Sequence, residues 1–116
     1  MKIGALTEVF PGENRVAMTP DSAVQLAKLG HVACIQAGAG AKAGFSDAAY
    51  AAAGVEVLKT AAAVIKASDV IVKVRGPEAK ELSGLKDGQT LISFFWPAQN
   101  AELLEAAAKK NLTIVA

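Results

Sequence analysis

LISFFWPAQN, residues 91–100, is the stretch whose reading decides the fold. Its first five residues are too continuously apolar for a strand that shows one face to water. Both faces must therefore be covered, as in a parallel sheet flanked by helices. The run then stops. Trp96 brings a large ring with a single N–H donor, Pro97 cannot continue a central strand, and Asn100 can cap the helix implied by AELLEAAAKK at residues 101–110. Trp96 thus marks the carboxyl end of a strand, and carboxyl ends are where open α/β sheets place their ligands.

The same alternation of elements extends toward both ends of the chain. Residues 2–6 read as a short strand, followed by the polar loop TEVFPGENR; Thr19 then caps a helix that Pro20 begins and Gly30 ends. Residues 31–37 form a second strand, and Ser46 with Asp47 opens an alanine-rich helix closed by Gly54. A short third strand covers residues 55–58, Thr60 caps the helix AAAVIKA, and the β-branched run at 69–74 is a fourth strand. A short helix is expected over residues 77–82 and a sixth strand over 112–115. Strands and helices that alternate in this way are joined by right-handed crossovers between parallel strands. The expected fold class is α/β: a flavodoxin-like, doubly wound, mainly parallel sheet in three α/β/α layers.

A chain of 116 residues makes one domain, and its 53% hydrophobic and 20% charged content supports a packed core rather than disorder. The net charge of +1, the scattered basic residues and the 5% aromatic content leave no footprint for nucleic acid. Nowhere do roughly 18 apolar residues follow one another, so no segment reads as a membrane span. Cys34, inside the apolar run VACI, reads as a small core residue. With one cysteine and one histidine, no metal site is expected.

Two places could carry chemistry. Gly38, Gly40 and Ala43 fit G-x-G-x-x-A after a strand, with Glu56 further on, which on paper is a dinucleotide fingerprint. Its context favours a plain turn over a cofactor loop. The fingerprint needs a helix starting at the second glycine so that its amides meet the pyrophosphate. Here Gly44 interrupts, the cap comes only at Ser46, and Glu56 falls mid-strand. No cofactor-binding residue is therefore assigned within the chain.

The second place is the edge where the first and fourth strands end. Arg15, in the first loop, and Lys73, near the end of the fourth strand, can converge on one crevice, where a guanidinium grips a carboxylate and an ammonium polarises a carbonyl. Arg15 has a second reading, an ion pair to Glu8 or Glu13 that pins the loop. Lys73, in an apolar strand, must reach the crevice or a carboxylate. Trp96 reads as a packing anchor or a ligand stacker, and Gln99 as a capping residue or one that faces the cleft.

Four strings in order, ENRVAMTP, GAGAKAGFSDAAYAAAGVEV, DVIVKV and SFFWPAQN, resemble the N-terminal domain family shared by alanine dehydrogenase and proton-translocating NAD(P) transhydrogenase, SFFWPAQN pointing to the transhydrogenase alpha subunits within it. In alanine dehydrogenase the arginine and lysine matching Arg15 and Lys73 hold the oxo acid, and the last strand ends in a catalytic histidine where Trp96 stands here. An indole cannot shuttle a proton, so the resemblance implies no catalytic residue in this chain. It implies instead one wall of a cleft in an enzyme that passes hydride between NAD(H) and NADP(H) and is coupled to proton translocation.

The implied partners are an NAD-binding domain of the same subunit, membrane and NADP-binding components, and a second copy in a homodimer. The implied location is cytoplasmic, peripheral to the inner membrane. Residues 1–116 are then expected to stop short of the NAD-binding domain, to be inactive alone, and to leave apolar surface that makes the isolated chain associate. Two alternatives stay open: an alanine dehydrogenase-like module for an oxo acid, and a non-catalytic assembly domain.

Overall fold

The structure is a computed structural model that describes residues 1–9, 11–75, 81, 84–95, 105 and 108–115. Six strands form one sheet: β1 (Lys2–Ala5), β2 (Val32–Gln36), β3 (Glu56–Leu58), β4 (Val70–Arg75), β5 (Thr90–Phe95) and β6 (Thr113–Val115). Every neighbouring pair runs parallel, in the order β3-β2-β1-β4-β5-β6. The α/β, doubly wound expectation holds. With the three-residue edge strand β3 set aside, the other five stand in the 2-1-3-4-5 order of flavodoxin-like sheets; with β3 counted, the order is 3-2-1-4-5-6.

Three helices are described in full: α1 (Pro20–Lys28), α2 (Asp47–Ala52) and α3 (Ala61–Ala67). Each starts at the cap read from the sequence. Thr19 accepts from the Ser22 amide at 3.1 Å while the Ser22 hydroxyl accepts from the Thr19 amide at 2.8 Å, a reciprocal capping box. Ser46 and Thr60 cap α2 and α3 in the simpler way, accepting from Ala49 and Ala63. Gly30, at φ +89°, reverses the chain after α1 so that the His31 amide can reach back to the Leu26 carbonyl.

The helices divide between the two faces of the sheet. α1 and α2 enclose Ala5, Met18, Ile35 and Tyr50 on one side, and α3 packs Val64 and Ile65 against Leu6, Cys34, Ile71 and Leu91 on the other. Contact on the α3 side is close at Gly4, where a Cβ would collide with Ser68 and Val64. Cys34 is fully buried there, its Sγ 3.2 Å from the Ser68 hydroxyl.

Strand ends differ from the sequence reading for local reasons. β1 stops at Ala5 rather than residue 6, because the Thr7 amide leaves the ladder and donates to the Gln36 side chain at 3.0 Å. β3 opens at Glu56 rather than residue 55, because the Val55 amide belongs to the turn that closes α2, bonding the Tyr50 carbonyl. Glu56 is thus the first residue of its strand and not mid-strand. The helices expected at 77–82 and 101–110 lie outside the described residues, apart from Glu81, Glu105, Ala108 and Lys109, which are helical, and Lys110, which lies in the turn that follows. Among the described residues no helix is long and apolar enough to cross a membrane.

Candidate functional site

The chain runs outward from β1 through β2 to β3, returns through α3 to β4, and then runs outward the other way. The direction reverses between β1 and β4. In open α/β sheets that switch point opens a crevice at the strands' carboxyl ends. Arg15 and Lys73 both lie at this end of the sheet, and neither is alone.

Lys73 is 2% exposed, a burial that an unpaired ammonium could not sustain. Its Nζ lies 2.9 Å from Glu81 Oε2 and 3.5 Å from Glu8 Oε1. Glu8, equally buried, also accepts from the amides of Val74 and Arg75 at 2.9 and 3.0 Å. One carboxylate from the first loop therefore does for the end of β4 what a neighbouring strand does lower down, where β1 still runs alongside. Gln36 plays the matching part on the β2 side through the Thr7 amide.

The second half of the cluster is built around Glu13, whose side chain is 3% exposed. Arg15 grips it through Nε at 2.8 Å and Nη2 at 2.7 Å, and the Arg15 amide adds a bond at 3.0 Å. Arg75 Nε donates to the same carboxylate at 2.9 Å. The side-chain bond from Arg15 is the main reason the Glu13 carboxyl is held far below the usual carboxylate range; burial opposes it, and the Arg15 amide and the Arg75 guanidinium add to it. Arg15 is raised in turn, first by its bond to Glu13. Both guanidiniums keep part of their surface in solvent, whereas the carboxylate between them does not.

The ion-pair reading of Arg15 is thus realised with Glu13 as partner. Lys73 meets two carboxylates. Trp96 and Gln99 lie outside the described residues; β5 is described up to Phe95, whose backbone stands in register with Arg75. Glu8 and Glu13 were named from the sequence only as possible partners of Arg15, and Arg75 and Glu81 were not singled out at all. Their signal was the density of ionisable residues in TEVFPGENR and at the end of an apolar strand, which does not say who pairs with whom. Among the described residues three carboxylates and three cations meet here, and their formal charges cancel. Beside it lies a mostly apolar cavity of about 530 Å³, bordered by Leu6, Thr7, Val9, Gln36, Ile65 and Glu81. Among the described residues no group of three potential metal ligands occurs.

The glycine turn after β2 has another character. Residues Ala41–Ala43 make a single 3-10 turn, and α2 does not begin until Asp47. The Gly38 amide, which would face a pyrophosphate in a fingerprint loop, donates to Asp47 Oδ1 at 2.9 Å. Gly40 lies against Tyr50, where an added Cβ would come within 2.5 Å of the ring. Tyr50 is fully buried and donates its hydroxyl to the Met18 carbonyl at 2.6 Å. Glu56 pairs with Lys2 at 2.7 Å.

The family model described as alanine dehydrogenase/PNT, N-terminal domain matches residues 4–116. Over all 116 residues the chain is 69% identical to a NAD(P) transhydrogenase subunit alpha from Cereibacter sphaeroides, and it spans 22% of that relative's length. Among the solved structures that resemble the chain, two cover its whole length. A transhydrogenase from Sinorhizobium meliloti gives a TM-score of 0.92 at 37% identity, with 34% of that chain covered. An L-alanine dehydrogenase gives 0.94 at 32% identity, with 32% covered.

Proposed function

Because the chain belongs to the alanine dehydrogenase/PNT N-terminal domain family, we propose that it serves as the amino-terminal part of a NAD(P) transhydrogenase alpha subunit. The carrying observation is the 69% identity to such a subunit along the full chain. The complete enzyme transfers hydride between NAD(H) and NADP(H) in a reaction coupled to proton translocation. This part frames one side of a cleft whose other side is an NAD-binding domain of the same subunit. Membrane and NADP-binding components, and a second copy in a homodimer, complete the assembly at the cytoplasmic face of the inner membrane.

The crevice geometry supports an enclosing role. Direct hydride transfer between two nicotinamides needs no proton given to a carbon, only cofactors held in register. The described crevice residues suit such a role, because the Glu13 carboxyl is held low by Arg15 and Lys73 is tied to two carboxylates. The Gly38 amide is spent on Asp47 and α2 begins only at Asp47, which supports a reading in which the dinucleotides are held elsewhere in the complete protein. The test is hydride transfer from NADH to an NADP analogue: full turnover by the complete enzyme and none by residues 1–116. Any turnover by the segment alone would overturn the division of labour.

An alanine dehydrogenase-like reading draws on the similar fold of the L-alanine dehydrogenase and on the cations at the crevice. It predicts that Trp96→His in the complete protein gains pyruvate amination; no gain would reject it.

A further inference from the structure

β4 outlasts its neighbour at the crevice. β1 ends at Ala5, opposite Val72, while β4 runs on to Arg75. The stretch of β4 that β1 leaves unpaired is met by Glu8, whose Oε2 accepts from the Val74 amide at 2.9 Å and whose Oε1 accepts from the Arg75 amide at 3.0 Å. In a regular strand successive amides point to opposite edges. Two neighbouring amides on one acceptor group are instead the arrangement of a β-bulge, which bends a strand and re-aims its side chains beside functional sites. We propose that Glu8 is a positioning residue: it holds the bend at the end of β4 and thereby sets the shape of the crevice wall along which hydride transfer in the complete enzyme takes place.

Three observations carry this. Glu8 is as deeply buried as Lys73, and a carboxylate tolerates that burial only where several donors meet it; here two amides and the Lys73 ammonium, at 3.5 Å, do so. Lys73 has a nearer carboxylate in Glu81, at 2.9 Å, so the two amide bonds rather than the ion pair are the part that Glu8 alone supplies. The residue it holds, Arg75, keeps part of its side chain in solvent at the crevice, and its backbone stands level with Phe95 at the end of β5. Because Glu8 is enclosed, it acts on the crevice through β4 and not by touching what binds there. The inference rests on the reading of this chain as one wall of a hydride-transferring enzyme, and adds which side chain keeps that wall in shape.

The test uses the complete enzyme with Glu8→Gln, a near-isosteric change that turns one acceptor oxygen into a donor facing an amide. Amide hydrogen exchange over Val70–Arg75 reads the bend without any turnover. It judges the proposal even if the complete protein transfers no hydride, a result that would defeat the functional reading instead. Glu8→Gln is expected to speed exchange at the end of β4 at least about tenfold. Its kcat for hydride transfer from NADH to an NADP analogue is expected to fall at least about tenfold, since the register of the reacting groups is disturbed. Both KM values are expected to stay within about threefold of the wild type, because the dinucleotides are held elsewhere. Glu8→Asp, which keeps the charge but is too short to reach both amides, is expected to fall between. Tyr50→Phe, which loses a buried hydrogen bond on the other face of the sheet, is the destabilised control and is expected to keep kcat. If Glu8→Gln does not fold, Glu8→Asp decides by the same readouts. Unchanged exchange or unchanged kcat in a folded Glu8 variant, a loss carried by KM, an equal loss of kcat in Tyr50→Phe, or failure of both Glu8 variants to fold would each overturn the proposal.

Discussion

The turn after β2 and the crevice between β1 and β4 occupy the same edge of one sheet, and their sequences advertise opposite things. The turn spells a recognisable glycine string; the crevice spells none. In three dimensions the string is filled by Tyr50 and tied off by Asp47, while the crevice gathers, among the described residues, six ionisable side chains from the first loop, the end of β4 and Glu81. A glycine motif carries meaning only when a helix begins where its amides point. Buried charge carries meaning through its surroundings, whatever its string, because removing it from water has a large cost that only partners offset.

The strongest way to break this contrast is at Lys73. Lys73→Met keeps much of the volume and removes the cation between two carboxylates, one of them fully enclosed. Stripping one partner from a buried ion pair costs about 3–5 kcal/mol, so the variant is expected to lose a comparable part of its urea-unfolding free energy. A loss under about 1 kcal/mol, the range of an exposed pair, would mean that the crevice charges are ordinary surface groups.

Gly40→Val probes the other side. The new side chain would meet the Tyr50 ring and the Phe45 carbonyl, which is backbone and cannot swing aside. Overpacking of this kind costs about 1–3 kcal/mol, a smaller effect than at Lys73 and one that should appear in stability alone. A Gly40→Val variant of the complete enzyme with full stability and altered NAD affinity would reverse the assignment of the two regions.

These two positions also show how far the sequence could be read. The apolar run at β5, the caps at Thr19, Ser46 and Thr60, and the turn character of Gly38 to Ala43 were legible because each depends on residues a few positions apart. The crevice was legible only in part. Arg15 and Lys73 follow from their place at strand ends, but Glu8 lies more than sixty residues from the amides it caps, and the Arg75–Glu13 bond spans a similar gap. Such pairs exist only once β1 and β4 are known to be neighbours and in register. Local pattern cannot supply that, since β4 follows β3 in the chain but pairs with β1.

The gentlest probe is pH, and it moves one region and leaves the other unchanged. The Glu13 carboxyl is held low in the folded chain, chiefly by Arg15, whereas an unfolded glutamate titrates near about 4.3. Protonation therefore favours the unfolded chain: Glu13's contribution to stability is complete above the unfolded value and drains away as pH falls from there through the depressed native one. The stability gap between the wild type and Glu13→Gln should hold constant from about pH 8 to about pH 5 and narrow below about pH 4. Because half of the Arg15 side chain meets solvent, salt should also shrink the gap at neutral pH. The gap for Gly40→Val is steric and should ignore both variables. Urea melts of the two variants across that range decide the matter: a Glu13→Gln gap already closed at about pH 6, or unmoved at about pH 3, would show that the carboxylate is not held by its guanidiniums.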